Sequence, residues 1–234
     1  MTKAPVHRLA TVLVSSLLLF GCDLPSDPTV AGELNRGRFE YLCVGETDVS
    51  CRDFDMASIF PEVFAVSGRF SVRFEPFDGG PLPRIEPASP RVLSYESAIL
   101  TFEREGTSAI LAARGDALVD YRHLSARPIV AVQFRNGSAE SISALVFEDP
   151  APLGLSAVPL DDRGRPLAGA LSYQWRVVDE SIARLVTSAT GREVSVQPLS
   201  TGTTALEVSV GGHVELLPIF VELPPPERMP GDTQ

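Results

Sequence analysis

The 234-residue chain carries 20 basic and 30 acidic residues, a formal charge of −10, and 44% of it is hydrophobic. An acidic balance of this size excludes a nucleic-acid footprint, which needs a basic face, and a polybasic grip on anionic lipid. The length accommodates two modest domains.

The chain opens with two cations, Lys3 and Arg8, followed by an apolar run from Leu9 to Phe20. That run is too short to span a bilayer, which takes about 20 apolar residues. The pattern is that of a secretory signal peptide. It ends at Leu19-Phe20-Gly21-Cys22, which resembles the lipobox of bacterial lipoproteins. The resemblance implies a diacylglyceryl group on the Cys22 thiol and cleavage just before it, so that residues 1–21 are the signal peptide and the lipid on Cys22 is the membrane partner. Each buried methylene of such an anchor contributes about 0.8 kcal/mol, and more than one chain makes the attachment stable.

Cleavage removes Lys3 and Arg8 and no acid, leaving 18 basic against 30 acidic residues, a formal charge of −12. Residues 22–32, "CDLPSDPTVAG", are polar and proline-containing and read as a flexible tether. Acylation of Cys22 leaves Cys43 and Cys51 as a pair within "FEYLCVGETDVSCRDF", where Gly45, Asp48 and Ser50 supply turn chemistry. In an oxidising compartment these two are expected to form a disulfide, contributing about 2–3 kcal/mol on the chain-entropy model. A structural metal site would need two further Cys or His ligands nearby, and that stretch holds none.

From there on, short alternating runs are separated by Gly, Pro, Asp and Asn, with 20 prolines and 18 glycines in the chain. Phe70, Val72 and Phe74 share a face in "RFSVRF"; Tyr173, Trp175 and Val177 share one in "YQWRV". Val194 and Val196, and then Leu206, Val208 and Val210, continue the alternation. This predicts an all-β sandwich or barrel. An internal repeat sharpens the reading. Ile85 to Tyr95 aligns on Trp175 to Leu185 at an offset of 90, and Glu105 to Gly115 aligns on Thr201 to Gly211 at an offset of 96. The difference predicts a six-residue insertion near "TSATGREV" in the second copy.

The segment "WRVVDESIARL", a hairpin, and then "GTTALEVSV" resembles the bacterial immunoglobulin-like domain of group 2, found in adhesins and other envelope proteins. Trp175, Asp179, Ser181, Ala183 and Gly202-Thr203 carry the match; Leu185 stands where valine is usual. The first copy shares Gly106-Thr107 but has Ile85 in place of the tryptophan and three prolines, Pro83, Pro87 and Pro90, around it. The resemblance implies two tandem immunoglobulin-like β-sandwich domains after the signal peptide and tether. Residues 33–126 form the first, with the disulfide in its N-terminal segment, and residues 127–223 form the second. Residues 224–234 have lost all alternation and are expected to be disordered. Trp175 is expected at the centre of the second core, against Val196, Leu206 and Val208.

No G-x-S-x-G elbow, H-E-x-x-H, P-loop or dinucleotide fingerprint is present, though a triad assembled in space leaves no local trace. His123 and His213 fall at the same place in the two copies and read as strand-surface histidines. "DDRGRP", Asp161 to Pro166, reads as a hairpin turn and lacks the spaced ligands of a calcium loop. Glu103 and Glu105 read as a solvated strand end. The sequence therefore points to no catalytic residue, no cofactor and no metal site. It predicts a lipid-anchored protein of the bacterial envelope, at the outer membrane, with a structural, adhesive or binding role and a protein or glycan partner. An accessory subunit of an envelope secretion or polysaccharide-export assembly is the alternative, and a hydrolase or hydrolase inhibitor a more distant one. With the junction near Ala126–Pro128, the modules are expected to form a rod whose far end carries the loops Pro159 to Gly169 and Thr187 to Glu193.

Overall fold

The computed structural model describes residues 28–52, 56, 57 and 59–224. The expected signal peptide, Cys22, most of the expected tether and all but the first residue of the expected 224–234 tail lie outside these. Among the described residues the first part of the chain forms β1 (Thr29–Ala31), β2 (Gly37–Leu42), β3 (Cys51–Arg52), β4 (Met56–Ala57), β5 (Val63–Ala65), β6 (Arg69–Pro76), β7 (Arg84–Pro87), β8 (Leu93–Glu96), β9 (Ile99–Phe102), β10 (Gly106–Arg114) and β11 (Ala117–Arg127). The second part forms β12 (Ala131–Asn136), β13 (Ser141–Ile142), β14 (Leu145–Phe147), β15 (Leu153–Leu160), β16 (Tyr173–Val177), β17 (Ala183–Leu185), β18 (Glu193–Pro198), β19 (Gly202–Val210) and β20 (His213–Val221).

These strands make two sandwiches of the same design. In the first, the sheet β1-β2-β6-β9-β8 faces β5-β11-β10-β7; in the second, β13-β12-β15-β18-β17 faces β14-β20-β19-β16. In each, a strand that belongs by sequence to the first sheet is followed by a short one that crosses over and pairs in parallel with the last strand, β5 with β11 and β14 with β20. This strand order defines the immunoglobulin-like sandwich, here in tandem.

The two repeat offsets reproduce the ladder register. Ile85 pairs with Ala112 and Trp175 with Val208; Leu93 pairs with Phe102 and Ala183 with Pro198. The expected insertion is present between β17 and β18. Its counterpart between β8 and β9 is a tight turn on Ser97 and Ala98, both at positive φ, the geometry of a two-residue hairpin. The repeated Gly-Thr step has a backbone cause. Gly106 and Gly202 both sit at positive φ, 141° and 158°, which a residue with a side chain rarely adopts, and at Gly202 a Cβ would also press on Ile182 at 3.0 Å. Pro87 is accommodated because β7 is the edge of its sheet, where a missing N–H can face solvent.

The first core is aromatic: Phe64 and Phe70 have ring centroids 4.4 Å apart, with Tyr41 and Phe102 around them. The second is built from valine and leucine around Trp175, which is 4% exposed and 6.1 Å from Phe134. Val194, Val196, Leu206, Val208 and Val210 are all buried, as the alternation required.

Two expectations are corrected. Thr29–Ala31, placed in the tether by composition, is an edge strand paired with β2. Its turn is held by the buried carboxylate of Asp120, which accepts from the Leu34 and Arg36 amides at 2.8 Å. The loop Pro159 to Gly169 does not stand at a far end. Ala168 and Ala170 bridge to Phe64 and Arg69 of the first sandwich, with four backbone hydrogen bonds of 2.7–3.0 Å. Val63 and Ala65 pack in the second core, and Ala168 packs in the first. The sandwiches are fused side chain to side chain and backbone to backbone.

Candidate functional site at the sandwich junction

Cys43 and Cys51 are bridged, with Cα atoms 6.1 Å apart. The loop they close carries Asp48, fully buried although aspartate almost never is without partners. Its Oδ1 accepts from the Ser50 amide at 2.9 Å, the local turn bond that its sequence setting suggests. The same oxygen accepts from the amide of Gly169 at 3.1 Å, in the second sandwich. Oδ2 accepts from the Tyr41 hydroxyl. Beside it, Thr47 Oγ1 accepts from the Leu171 amide at 3.2 Å, and the Asp48 carbonyl lies 3.5 Å from Arg192 Nη1. The disulfide loop is therefore the clasp between the sandwiches.

The electrostatics of the clasp follow from burial. Desolvation pushes the Tyr41 hydroxyl well above the ordinary tyrosine range, and the Asp48 charge adds to it. Burial also raises Tyr173, opposed by the nearby Arg192 guanidinium. Tyr173 Oη and Arg192 Nε are both buried, and among the described residues neither has a hydrogen-bond partner.

A groove of about 620 Å³ opens beside the clasp, on the outer face of the five-stranded sheet of the second sandwich. Gly154, Ser156 and Ser195 line it from β15 and β18, Val49 of the disulfide loop forms part of its wall, and Arg135 and Arg192 reach it from two sides. The insertion that carries Arg192 is fixed from beneath by the core tryptophan. The Trp175 amide donates to the Ala189 carbonyl at 2.9 Å and its Nε1 to the Gly191 carbonyl at 2.8 Å. The insertion and the Pro159–Gly169 loop thus converge here, at the junction.

Of the residues singled out from sequence, Cys43 and Cys51 sit in the clasp, and Cys22 lies outside the described residues. The histidines are not equivalent. His123 pairs across the ladder with Ala109 and bonds Glu33 at 2.9 Å, whereas His213 pairs with Val210 and meets Glu215 at 3.2 Å. With the insertion, Ala117 and not His123 is the counterpart of His213, so the offset of 90 that links the two histidines is the wrong one for β11 and β20. Asp161 closes its own turn, accepting from the Arg163 and Arg165 amides at 2.9 and 2.8 Å. Burial pushes its carboxyl up, but these bonds and the Arg165 guanidinium outweigh that and hold it below the usual range. Glu103 accepts from Ser94 Oγ and Glu105 from Arg127 Nη1, both exposed. Among the described residues no group of three or more His, Cys, Asp or Glu is placed to hold a metal ion, and no helix is long and apolar enough to cross a membrane. Asp48 and Arg192 were missed as partners, and no local signal could have joined residues 144 positions apart.

No family model matches the chain, and no curated protein matches it in sequence. Solved structures with a similar arrangement include domains 4 and 5 of the S-layer protein SbsC, at 12% identity over 68% of this chain and 91% of that one, with a TM-score of 0.33. The Escherichia coli adhesin FdeC is similar at 9% identity, over 70% of this chain and 62% of that one, TM-score 0.34. The Yersinia pseudotuberculosis adhesin InvE is similar at 10%, over 69% and 57%, TM-score 0.33. Of two longer SbsC structures the chain spans 27% and 30%. At these scores the likeness says nothing about ligand or role.

Proposed function

We propose that this is a lipid-anchored protein of the bacterial envelope whose two fused sandwiches serve a structural, adhesive or binding role without catalysis. The observation that carries the reading is the clasp. Side-chain hydrogen bonds and a backbone ladder hold the two sandwiches in one orientation, which suits a rigid support for the groove beside it. The lipobox at Leu19 to Cys22 supports anchoring through the Cys22 thioether, at the outer membrane. The Trp175 and Gly202-Thr203 pattern supports kinship with the group 2 bacterial immunoglobulin-like domains, and the partner is a protein or a glycan.

The test is fractionation of cells expressing the full chain. The native sequence is expected in the membrane fraction with a lipid on Cys22, and Cys22→Ala is expected to be released or left unprocessed. A native N-terminal peptide carrying a free Cys22 thiol would refute the anchor.

One observation favours a second reading, an accessory subunit of an envelope assembly. The outer face of β20 presents Val214, Leu216 and Phe220, 54%, 54% and 42% exposed, and Val146 beside Phe220 is 54% exposed. An apolar row of this kind on a sheet face marks contact with another protein.

A further inference from the structure

We propose that the junction groove binds the terminal carboxylate of a short peptide that ends in an aliphatic residue; the inference rests on the binding role proposed above and names its ligand. The anion-binding groups are two arginines. Arg135 is half-buried and gives its Nε to Gln133 Oε1 at 2.9 Å, and among the described residues its guanidinium meets no carboxylate. Arg192 is held by the Asp48 carbonyl and by Glu193, whose own side chain is 68% exposed. Its Nε, also without an acceptor among the described residues, is itself buried, so Arg192 contributes positive charge beside the groove and the free donors are the Nη groups of Arg135. A planar guanidinium with free donors matches a carboxylate in a two-pronged fit.

The rest of the lining selects the ligand. Ser156 and Ser195 offer hydroxyls to a peptide backbone, Gly154 leaves the surface open at β15, and Val49 with Val158 and Pro166 forms an aliphatic wall. Among the described residues no aromatic ring lines the groove, so a sugar ring finds no flat platform to stack on there. The volume, about 620 Å³, is that of a site for a small ligand. The chain is acidic, which opposes ligands with several carboxylates and leaves a single terminal one as the favoured anion. Capture of a peptide's terminal carboxylate is a recurring recognition mode.

Trp175, the one tryptophan of the chain, reports on the groove, because its Nε1 bonds Gly191, next to Arg192. The experiment titrates the full processed chain, in detergent micelles, with acetyl-Ala-Ala-Leu as the free acid and follows Trp175 emission. A saturable change is expected. The C-terminal amide of the same peptide should give none, and Arg135→Gln should weaken binding about tenfold or more, the loss of a charge-assisted pair, with an unchanged thermal midpoint. Equal binding of acid and amide, unaltered binding by Arg135→Gln, or no saturable binding by equilibrium dialysis at millimolar peptide would each overturn the proposal. So would a trigalacturonate oligosaccharide that binds where the peptide does not. Fractionation of Cys22→Ala is independent of these results, so a failed titration with an intact anchor removes the ligand and leaves the envelope reading standing.

Discussion

Replacing Asp48 by alanine tests whether the disulfide loop joins the two sandwiches. The carboxylate accepts from the Tyr41 hydroxyl, the Ser50 amide and the Gly169 amide. The Ser50 amide is only partly buried and can turn to water. The bonds to Tyr41 and Gly169 are buried, so truncation strands two donors, each at about 1–3 kcal/mol. The expected loss for Asp48→Ala is therefore about 2–6 kcal/mol in urea unfolding. Asp48→Asn keeps an oxygen for the two amides, but its Nδ2 faces the Tyr41 hydroxyl as a donor and leaves only that one proton without an acceptor, so it should cost about 1–3 kcal/mol, less than alanine. The effect is also local. Hydrogen exchange at the Gly169 and Leu171 amides should rise sharply, while the Val208 amide in the β16–β19 ladder stays protected. A native-like exchange pattern at Gly169 in Asp48→Ala, with stability within about 0.5 kcal/mol of the parent, would refute the clasp.

Trp175→Ala should cost about 3–5 kcal/mol, the usual range for a buried tryptophan. It should also free the insertion, seen as proteolytic cleavage within residues 186–192 that the parent resists. Raising the pH gives a third outcome. Tyr41 and Tyr173 both hold their protons more tightly in the folded chain than at the ordinary value of 10.0, because burial disfavours the phenolate. Their contribution is complete below pH 10 and is lost as pH rises beyond it, since the unfolded chain releases those protons first. Circular dichroism should show stability falling from pH 10 upward, and a flat profile to pH 12 would contradict the assignment.

The strands were legible because each lies on a sandwich with one wet face. Phe70 and Phe74, or Trp175 and Val177, announce themselves by a period of two. The repeat was legible because equivalent positions sit in equivalent pairs, as Ile85–Ala112 and Trp175–Val208 do. The junction was not legible. Asp48 looks like a turn former, and it does form a turn, but its second role is with Gly169, 121 positions away. Thr29–Ala31 was misread because a short edge strand with one half-buried valine has too little pattern to separate it from a polar tether. The Pro159–Gly169 loop looked like a free tip because turn residues say where a chain reverses and nothing about what it then touches.

The clasp also sets an order on how the protein is made. A chain that enters the oxidising compartment from its N-terminus can close the Cys43–Cys51 loop and the first sandwich before residues 168–192 arrive there. Joining Asp48 to Gly169 closes a loop of 121 positions, where the disulfide spans 8. On loop-closure scaling the longer closure costs about 2 kcal/mol more, so docking of the second sandwich comes last. Until it comes, Val63 and Ala65, which complete the second core, stand uncovered, and Tyr41 and Asp48 meet water in place of Gly169. A half-made molecule is thus marked by a sticky, wet face that the finished one does not show, the kind of surface that chaperones and proteases read.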